Sequence, residues 1–321
     1  MKTKAIVFPA AHTVELREVE LKPLGDEDVL VHTTLTSISA GTERMLFRGV
    51  MPHPMLQFPV VPGYETVGQV IDAGTRARAW IGKRVYVGGN YGFIGVNPAF
   101  GGQSAHIVAP QSHLTELGPL TDAQGVLLAL AATALHGVDQ AGIQAGNAPR
   151  ALVLGQGVVG QLAARIAKAR GAQVTVTDRI AARLNLSVAD EVWLIEETPP
   201  VHSQPAFDVL IDATGKMDAI APFLMSVQKG GRIVLLGYYD AVHLPYMPIF
   251  LRELMLVASK EWAAGDLARA RDLIAAGSLQ VDSLITHRLS ADQPARAFEI
   301  AFNDPACVKL VLEWGGVEVE S

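Results

Sequence analysis

A glycine-rich turn between a buried strand and a helix is the feature that most limits how this chain can fold. Residues 151–154 form a short apolar run typical of a buried strand, and the next segment has apolar residues at helical spacing. Between them lies a G-x-G-x-x-G pattern, made of Gly155, Gln156, Gly157, Val158, Val159 and Gly160. The first glycine permits a tight turn, the second lets the backbone approach a pyrophosphate, and the third lets the helix pack closely. The pattern predicts a dinucleotide-binding βαβ unit, with phosphates at the helix N-terminus.

The second strand of this unit ends in an acidic residue. Asp178 stands at the spacing where a carboxylate accepts hydrogen bonds from the adenosine ribose hydroxyls. A carboxylate there also repels the 2′-phosphate of NADP, so NAD is favoured, although the following Arg179 softens that repulsion. Thr214, Gly215 and Gly237 follow later strands, and the carboxyl ends of parallel strands face the ligand crevice. They are either cofactor contacts or simple strand-ending turns.

Composition excludes several classes of protein. The net charge of −6, with no long run of Lys and Arg, argues against a nucleic-acid partner. The single cysteine, Cys307, rules out an internal disulfide, fits a reducing cytoplasm and cannot build a thiolate-rich zinc site. Apolar stretches are too short or too interrupted for a signal peptide or a transmembrane helix. We therefore expect a cytoplasmic protein. An apolar substrate would still allow it to associate transiently with a membrane surface.

The chain changes character near residue 120. Before it, short alternating segments and Gly/Pro clusters predict an irregular β domain; after it, strands and helices alternate, as in a parallel sheet buried on both faces. Three motifs lie in the first part: residues 61–68 (VPGYETVG), 81–85 (IGKRV) and 101–106 (GGQSAH). With the glycine turn, they resemble the medium-chain dehydrogenase/reductase superfamily. The resemblance implies an α/β architecture, with a GroES-like catalytic domain at residues 1–120 and 262–321 around a Rossmann NAD-binding domain at 121–261.

The zinc ligands of this superfamily are missing. In zinc-dependent members a histidine stands between the glycine and the glutamate at positions 63–65, and here it is Tyr64. The segment in which the resemblance places the first cysteine ligand, residues 38–43, has no cysteine, and a Gly/aromatic loop at 88–102 replaces the structural-zinc lobe. Zinc acts as a Lewis acid on the substrate oxygen, so without it protein hydrogen bonds must polarise or deprotonate the alcohol.

A closer resemblance covers the whole chain. Residues 39–43 (SAGTE), 58–68 (FPVVPGYETVG), 128–134 (LALAATA), 284–288 (LITHR) and 304–314 (DPACVKLVLEW) are similar to the bacteriochlorophyllide dehydrogenases of bacteriochlorophyll biosynthesis. This resemblance implies oxidation of a 3-(1-hydroxyethyl) group on a bacteriochlorin or chlorin macrocycle to 3-acetyl, with NAD as the hydride acceptor. By analogy with the superfamily, we also expect a homodimer.

Four residues are candidates for catalysis. Tyr64 and Glu65 lie where the superfamily builds its active site, so the phenol would hydrogen-bond the alcohol and the carboxylate would accept or relay its proton. Alternatively, Tyr64 fills the space of the metal and Glu65 braces the fold. Ser39 and Thr42 lie where the superfamily places a relay hydroxyl, and a one-residue offset leaves the choice between them open. We interpret the next two residues, Glu43 and Arg44, as a solvated turn. Alternatively, the arginine contacts a propionate group of the substrate.

The sequence is also compatible with two other functions. A zinc-free enone or quinone reductase using NADPH is the main alternative activity, and Asp178 argues against it. The other alternative is a non-catalytic protein that senses NAD(H), and the polar residues Tyr64, Glu65 and Thr42 argue against it. The methionine-rich, apolar segment at 44–58 is either a wall of the substrate site or part of the core of the β domain.

The missing ligands generate a prediction about metal content. Because Tyr64 replaces the histidine and no cysteine is nearby, the purified protein should contain no stoichiometric zinc and should keep its activity in a chelator. Elemental analysis and chelator assays measure this. A finding of about one zinc per chain, with activity lost on chelation, would contradict it.

Overall fold

Strands and helices follow the apolar runs of the sequence in two separate units. The structure is a computed structural model that describes residues 1–52, 56–195 and 206–315. The first unit combines Met1–Ala129 with Ile285–Ser321, and the second is Leu130–Leu284.

The N-terminal part of the first unit is rich in short strands, as its alternating segments predict. Its elements are β1 (Lys2–Val7), β2 (Glu15–Leu21), β3 (Asp28–Ser37), α1 (Thr42–Phe47), β4 (Val60–Val61), β5 (Thr66–Ala73), β6 (Arg84–Val87), β7 (Phe93–Ile94), β8 (Asn97–Pro98), β9 (His106–Pro110), β10 (Leu114–Glu116) and α2 (Asp122–Gly125).

The second unit alternates helices and strands. Its elements are α3 (Leu128–Gln140, which begins at the end of the first unit), β11 (Arg150–Leu154), α4 (Val158–Ala169), β12 (Gln173–Asp178), α5 (Ala181–Leu184), β13 (Glu191–Leu194), β14 (Phe207–Asp212), α6 (Met217–Ile220), β15 (Val227–Leu235), α7 (Tyr246–Arg252), β16 (Met255–Ala258) and α8 (Asp266–Ala275). These strands pair in parallel in the order β13-β12-β11-β14-β15-β16. This is the doubly wound order of a Rossmann sheet, so the predicted fold class is confirmed.

The C-terminal segment returns to the first unit and completes its main sheet. Its elements are β17 (His287–Ser290), α9 (Pro294–Asn303) and β18 (Leu310–Glu313). β18 pairs antiparallel with β3, and Val311 lies opposite Ser37. The sheet order is β10-β6-β5-β3-β18-β17, with β9 also paired to β3. This pairing brings residues from the end of the chain beside residues 37–39.

The two units meet in sequence at residues 129/130 and 284/285, compared with the predicted domain boundaries at 120/121 and 261/262. Asp122 belongs to the first unit, because it accepts hydrogen bonds from Thr34 at 2.7 Å and from Arg84 at 3.1 Å. The segment that contains α8 belongs to the second unit, because Arg269 bonds Asp139 of α3 at 2.8 Å. Local side-chain bonds of this kind leave no periodic signal in a sequence.

The apolar segment at 44–58 packs into the core of the first unit. Leu46 and Met51 are buried in that core, beside Phe8 and Trp314. Other apolar side chains of the segment pack against it from the outside, namely Met45, Phe47, Leu56 and Phe58. Its third methionine, at position 55, lies outside the described residues. The structure therefore favours a core role for the segment over a wall of the substrate site.

In the part of the chain that the structure describes, no helix combines the length and the apolar character that crossing a bilayer requires.

Candidate active site

The glycine turn of the second unit has the geometry that its sequence pattern predicts. Gly155 takes a φ of +82°, which favours glycine. A Cβ on Gly160 would lie 1.8 Å from the carbonyl oxygen of Gly155, so the first turn of α4 is packed directly on the glycine turn. A Cβ on Gly157 would meet no atom within 4 Å. The backbone at Gly157 is thus open on the side from which a ligand would approach.

A cavity of about 490 Å³ lies at the carboxyl ends of β11, β12 and β14. Its walls include five of the predicted cofactor residues: Gly155, Gly157, Asp178, Arg179 and Thr214. Lys216 and Arg183 add positive charge to the same walls. A crevice with the open backbone of Gly157 and several cations fits a dinucleotide with its pyrophosphate.

Asp178 is tied to the glycine turn. Its Oδ2 accepts a hydrogen bond from the backbone N–H of Gln156 at 2.6 Å, and its Oδ1 accepts one from Ile180 at 2.9 Å. The Gln156 side chain is itself buried and donates to the carbonyl of Gly155 at 3.0 Å. Val158 and Val159 form the first turn of α4. The acid is therefore held at the rim of the cavity, beside the glycines.

Asp212 organises the next strand end and was not singled out from the sequence. Its carboxylate accepts hydrogen bonds from the Thr214 hydroxyl at 2.7 Å and from the backbone N–H of Gly215 at 3.2 Å. The Tyr239 hydroxyl also donates to it. Burial raises the pKa of Asp212 above the usual carboxyl value.

Gly215 and Gly237 face each other at this strand end. A Cβ on Gly237 would lie 2.5 Å from the Gly215 Cα, so these two glycines serve the close approach of two loops. They are not among the residues that line the cavity.

Three hydroxyl groups meet in the first unit. The Ser39 hydroxyl lies 2.9 Å from the Tyr64 hydroxyl, and the Thr42 side chain hydrogen-bonds the same phenol. Ser39 follows β3, Thr42 begins α1, and Tyr64 lies in the loop before β5. The structure thus brings together three of the four residues that were proposed for catalysis, with Ser39 and Thr42 both in place.

The phenol of Tyr64 is a neutral group. Burial and the neighbouring Glu65 carboxylate raise the pKa of Tyr64 above that of a free phenol. Phe100 packs edge-on against its ring at 5.2 Å, and Tyr86 donates to its backbone carbonyl at 2.8 Å. A neutral phenol fixed in this way can both donate and accept a hydrogen bond, but it does not serve as a phenolate base near neutral pH.

Glu65 has a different environment from Tyr64. Its side chain is fully buried, and one oxygen pairs with the Lys309 ammonium and accepts a hydrogen bond from Ser37. Its other oxygen, Oε1, has no hydrogen-bond partner among the described residues. These contacts match the reading in which Glu65 braces the fold.

The interpretation of Glu43 as part of a solvated turn is wrong. Glu43 is 1% exposed, because it lies on the inner side of α1. One of its oxygens accepts from the backbone N–H of Ser39 and the other from the Gln103 amide at 3.1 Å. Burial raises the pKa of Glu43 to about 8. A carboxyl that titrates near neutrality is therefore bonded to the residue that carries one of the three hydroxyls.

Arg44 does not lie in a solvated turn either. Its guanidinium donates to the backbone carbonyl of Phe302 and lies 5.3 Å from the centre of that aromatic ring. This places it against α9, within the first unit. Helix formation at Thr42–Phe47 explains both corrections, since it turns Glu43 inward and Arg44 towards α9.

Sequence reasoning missed the polar network beneath the hydroxyls. Gln103 accepts from Thr36 at 2.6 Å, and Thr36 accepts from the Trp314 indole at 2.9 Å. Lys309 and Trp314 are more than 240 positions from their partners. No local pattern links such residues, although a lysine in the apolar run at 304–314 is itself a signal of a buried partner.

The donor set around Tyr64 does not fit a zinc ion. Zinc in proteins takes thiolate, imidazole and carboxylate ligands. The groups here are hydroxyls, a carboxylate that already pairs with an ammonium, and a carboxyl bonded to a backbone amide. Within the described ranges, no three His, Cys, Asp or Glu side chains are grouped as a metal site would require.

Comparison with protein families matches both units. The model described as "Alcohol dehydrogenase GroES-like domain" matches residues 25–119, and the one described as "Zinc-binding dehydrogenase" matches residues 158–276. Among solved structures, a zinc-binding dehydrogenase of Sinorhizobium meliloti 1021 bound to NADP is 25% identical, with a TM-score of 0.84 over 98% of this chain and 100% of that one. Acetophenone reductase of Geotrichum candidum, in complex with NAD, is 20% identical and shares the fold, with a TM-score of 0.84 over 98% of this chain and 97% of that one.

Two of the relatives that match over nearly the full length are more than 30% identical. The 2-desacetyl-2-hydroxyethyl bacteriochlorophyllide A dehydrogenase of Rhodobacter capsulatus is 35% identical, over 98% of this chain and 99% of that protein. The protein of the same name from Cereibacter sphaeroides is 33% identical, over 98% of this chain and 99% of its own length. The chain belongs to the medium-chain dehydrogenase family, as an oxidoreductase related over its whole length to bacteriochlorophyllide dehydrogenases.

Proposed function

We propose that this chain oxidises the 3-(1-hydroxyethyl) group of a bacteriochlorophyllide or chlorophyllide to 3-acetyl, with NAD and without zinc. The full-length similarity to two dehydrogenases named for such a substrate supports the substrate class. The hydrogen-bonded hydroxyls of Ser39 and Tyr64 carry the chemistry of the proposal, because they supply donors and acceptors for an alcohol oxygen.

The residues at the cavity of the second unit would hold the cofactor. Gly155 and Gly157 would lie against the pyrophosphate, and Asp178 would accept hydrogen bonds from the ribose hydroxyls. NAD supplies the hydride acceptor when it is bound. Asp178 supports NAD over NADP, while Arg179 and Lys216 in the same walls are the groups that would receive a 2′-phosphate.

The residues of the first unit would bind the alcohol and move its proton. Tyr64 and Ser39 would share hydrogen bonds with the substrate oxygen, and Thr42 would orient the phenol. As the hydride leaves the carbon, the hydroxyl proton must leave the oxygen, and a chain of neutral hydroxyls can relay it. Both oxygens of Glu43 accept from amide N–H groups, so Glu43 would position Ser39, and the relayed proton would pass to water.

Kinetics on two substrates test this function. We expect NAD reduction with hydroxyethyl bacteriochlorophyllide in the presence of a chelator, and a kcat/KM for ethanol lower by at least about 100-fold, because ethanol lacks the binding energy of the ring. Parallel assays with NADP measure cofactor preference, and NAD should be preferred. Efficient turnover of short alcohols or sugars with no turnover of the pigment would overturn the substrate. Reduction of an enone or quinone with NADPH, without alcohol oxidation, would overturn the reaction type.

We also propose that the chain forms a homodimer through one edge of the second unit. β16 is an edge strand of four apolar residues, Met255–Ala258, in which Met255 and Leu256 are exposed. The neighbouring α7 has no buried residue, and its Tyr246 and Phe250 are 69% and 58% exposed. A strand edge without charge or proline readily pairs with another strand, and a second copy offers the same edge in a two-fold arrangement.

Light scattering on purified protein tests the dimer. The wild type should have the mass of two chains, and a Leu256→Lys variant should have the mass of one, because a charge on the edge strand opposes pairing. The matched control is Ile71→Lys, at an exposed position in the first unit. A monomeric wild type that instead binds phospholipid vesicles through this face would contradict the dimer and support membrane association.

A further inference from the structure

One ion pair in the first unit is completely removed from solvent. The side chains of Lys309 and Glu65 are 1% and 0% exposed, whereas sixteen other ion pairs of the described residues each have at least one side chain that is more than 15% exposed. Burial of two charges is costly, and apolar residues of the same volume often stabilise a fold as well or better. The pair therefore calls for an explanation other than stability.

The bonds of Lys309 join the two segments that carry Ser39 and Tyr64. Its ammonium donates to the backbone carbonyl of Ile38 at 3.0 Å and pairs with the carboxylate of Glu65. Ile38 directly precedes Ser39, and Glu65 directly follows Tyr64. One side chain thus bonds the immediate neighbours of both hydroxyl-bearing residues.

Further bonds fix this arrangement from both sides. Ser37 donates its backbone N–H to the carbonyl of Glu65 at 3.0 Å, and its hydroxyl donates to the Glu65 carboxylate. The backbone of Lys309 is held between strands, since its carbonyl accepts from Thr286 at 3.0 Å and the next carbonyl, of Leu310, accepts from Ile38 at 3.0 Å. These backbone hydrogen bonds therefore hold the Lys309 backbone, which carries the ammonium, in a fixed position.

We propose that Lys309 is a positioning residue that sets the distance between the Ser39 and Tyr64 hydroxyls. This role of Lys309 rests on the proposed function, in which these hydroxyls bind the alcohol. Lys309 would not touch the reacting atoms. It holds the loop after β3 and the loop before β5 in one register, so that the two hydroxyls stay 2.9 Å apart.

Three variants distinguish the loss of positioning by Lys309 from the loss of its charge and from the destabilisation of the fold. Lys309→Arg keeps a donor cation, and Lys309→Met removes it. The double variant Lys309→Met/Glu65→Gln removes both charges, so that no uncompensated carboxylate is left buried and the chain can fold. The matched control is Lys83→Met, which removes a lysine of the same unit from a half-exposed pair with Glu116.

The expected result is a loss in kcat without a loss of cofactor binding. The double variant should lose about 100-fold in kcat on the pigment, the cost of displacing a reacting group by about 1 Å. Its affinity for NADH, measured by fluorescence, should be unchanged. Lys309→Arg should recover most of the activity, and Lys83→Met should match the wild type. A folded double variant with wild-type kcat would overturn the positioning role and leave the proposed function intact.

Crystal structures of the same variants test the position directly, whatever the substrate proves to be. The distance between Ser39 Oγ and Tyr64 Oη should stay within hydrogen-bonding range in the wild type and in Lys309→Arg. It should exceed 3.5 Å in the double variant, which is beyond a hydrogen bond. An unchanged distance in the double variant would overturn the proposal. Failure of the wild type to turn over pigment would reject the proposed function without affecting this result.

Discussion

The antiparallel pairing of β18 with β3 is the constraint on which the polar site of the first unit depends. It places Val311 opposite Ser37 and so brings the end of the chain against the loop that carries Ser39. Lys309 and Trp314, on either side of this pairing, reach Ile38 and Thr36. β5 pairs directly with β3, and the end of β18 adds the Lys309 ammonium, which bonds the neighbours of both Ser39 and Tyr64.

Charge balance explains the behaviour of the buried carboxyls. Glu43 and Glu65 are both buried, and Lys309 is the ammonium that pairs with one of them, Glu65. Glu43 has hydrogen bonds from a backbone amide and from Gln103. These bonds favour its charged form less than burial disfavours it, and the pKa of Glu43 rises to about 8. The same low-dielectric surroundings raise the pKa of Tyr64 and keep its phenol neutral.

The sequence specifies the fold and the glycine turn much better than it specifies the chemistry of the first unit. Strand runs such as residues 151–154 and the glycines at 155–160 are local patterns with one dominant physical reading, and the structure places them accordingly. Glu43 was misread because a short helix at Thr42–Phe47 decides which way it faces. Lys309 was missed because its partners Ile38 and Glu65 lie far away in the chain. Long-range polar contacts of this kind depend on strand pairing, which periodicity does not encode.

In the proposed function, the hydroxyl of Tyr64 does part of the work of a catalytic metal. The most direct test is the single-turnover rate of hydride transfer in Tyr64→Phe, measured at saturating NAD and hydroxyethyl pigment. Tyr91→Phe serves as the control, since Tyr91 is an exposed tyrosine of the same unit. We predict a rate lower by at least about 100-fold in Tyr64→Phe, with NADH affinity unchanged. A rate within about twofold of the wild type would contradict it, because a general acid–base or hydrogen-bonding group of this kind contributes far more than that.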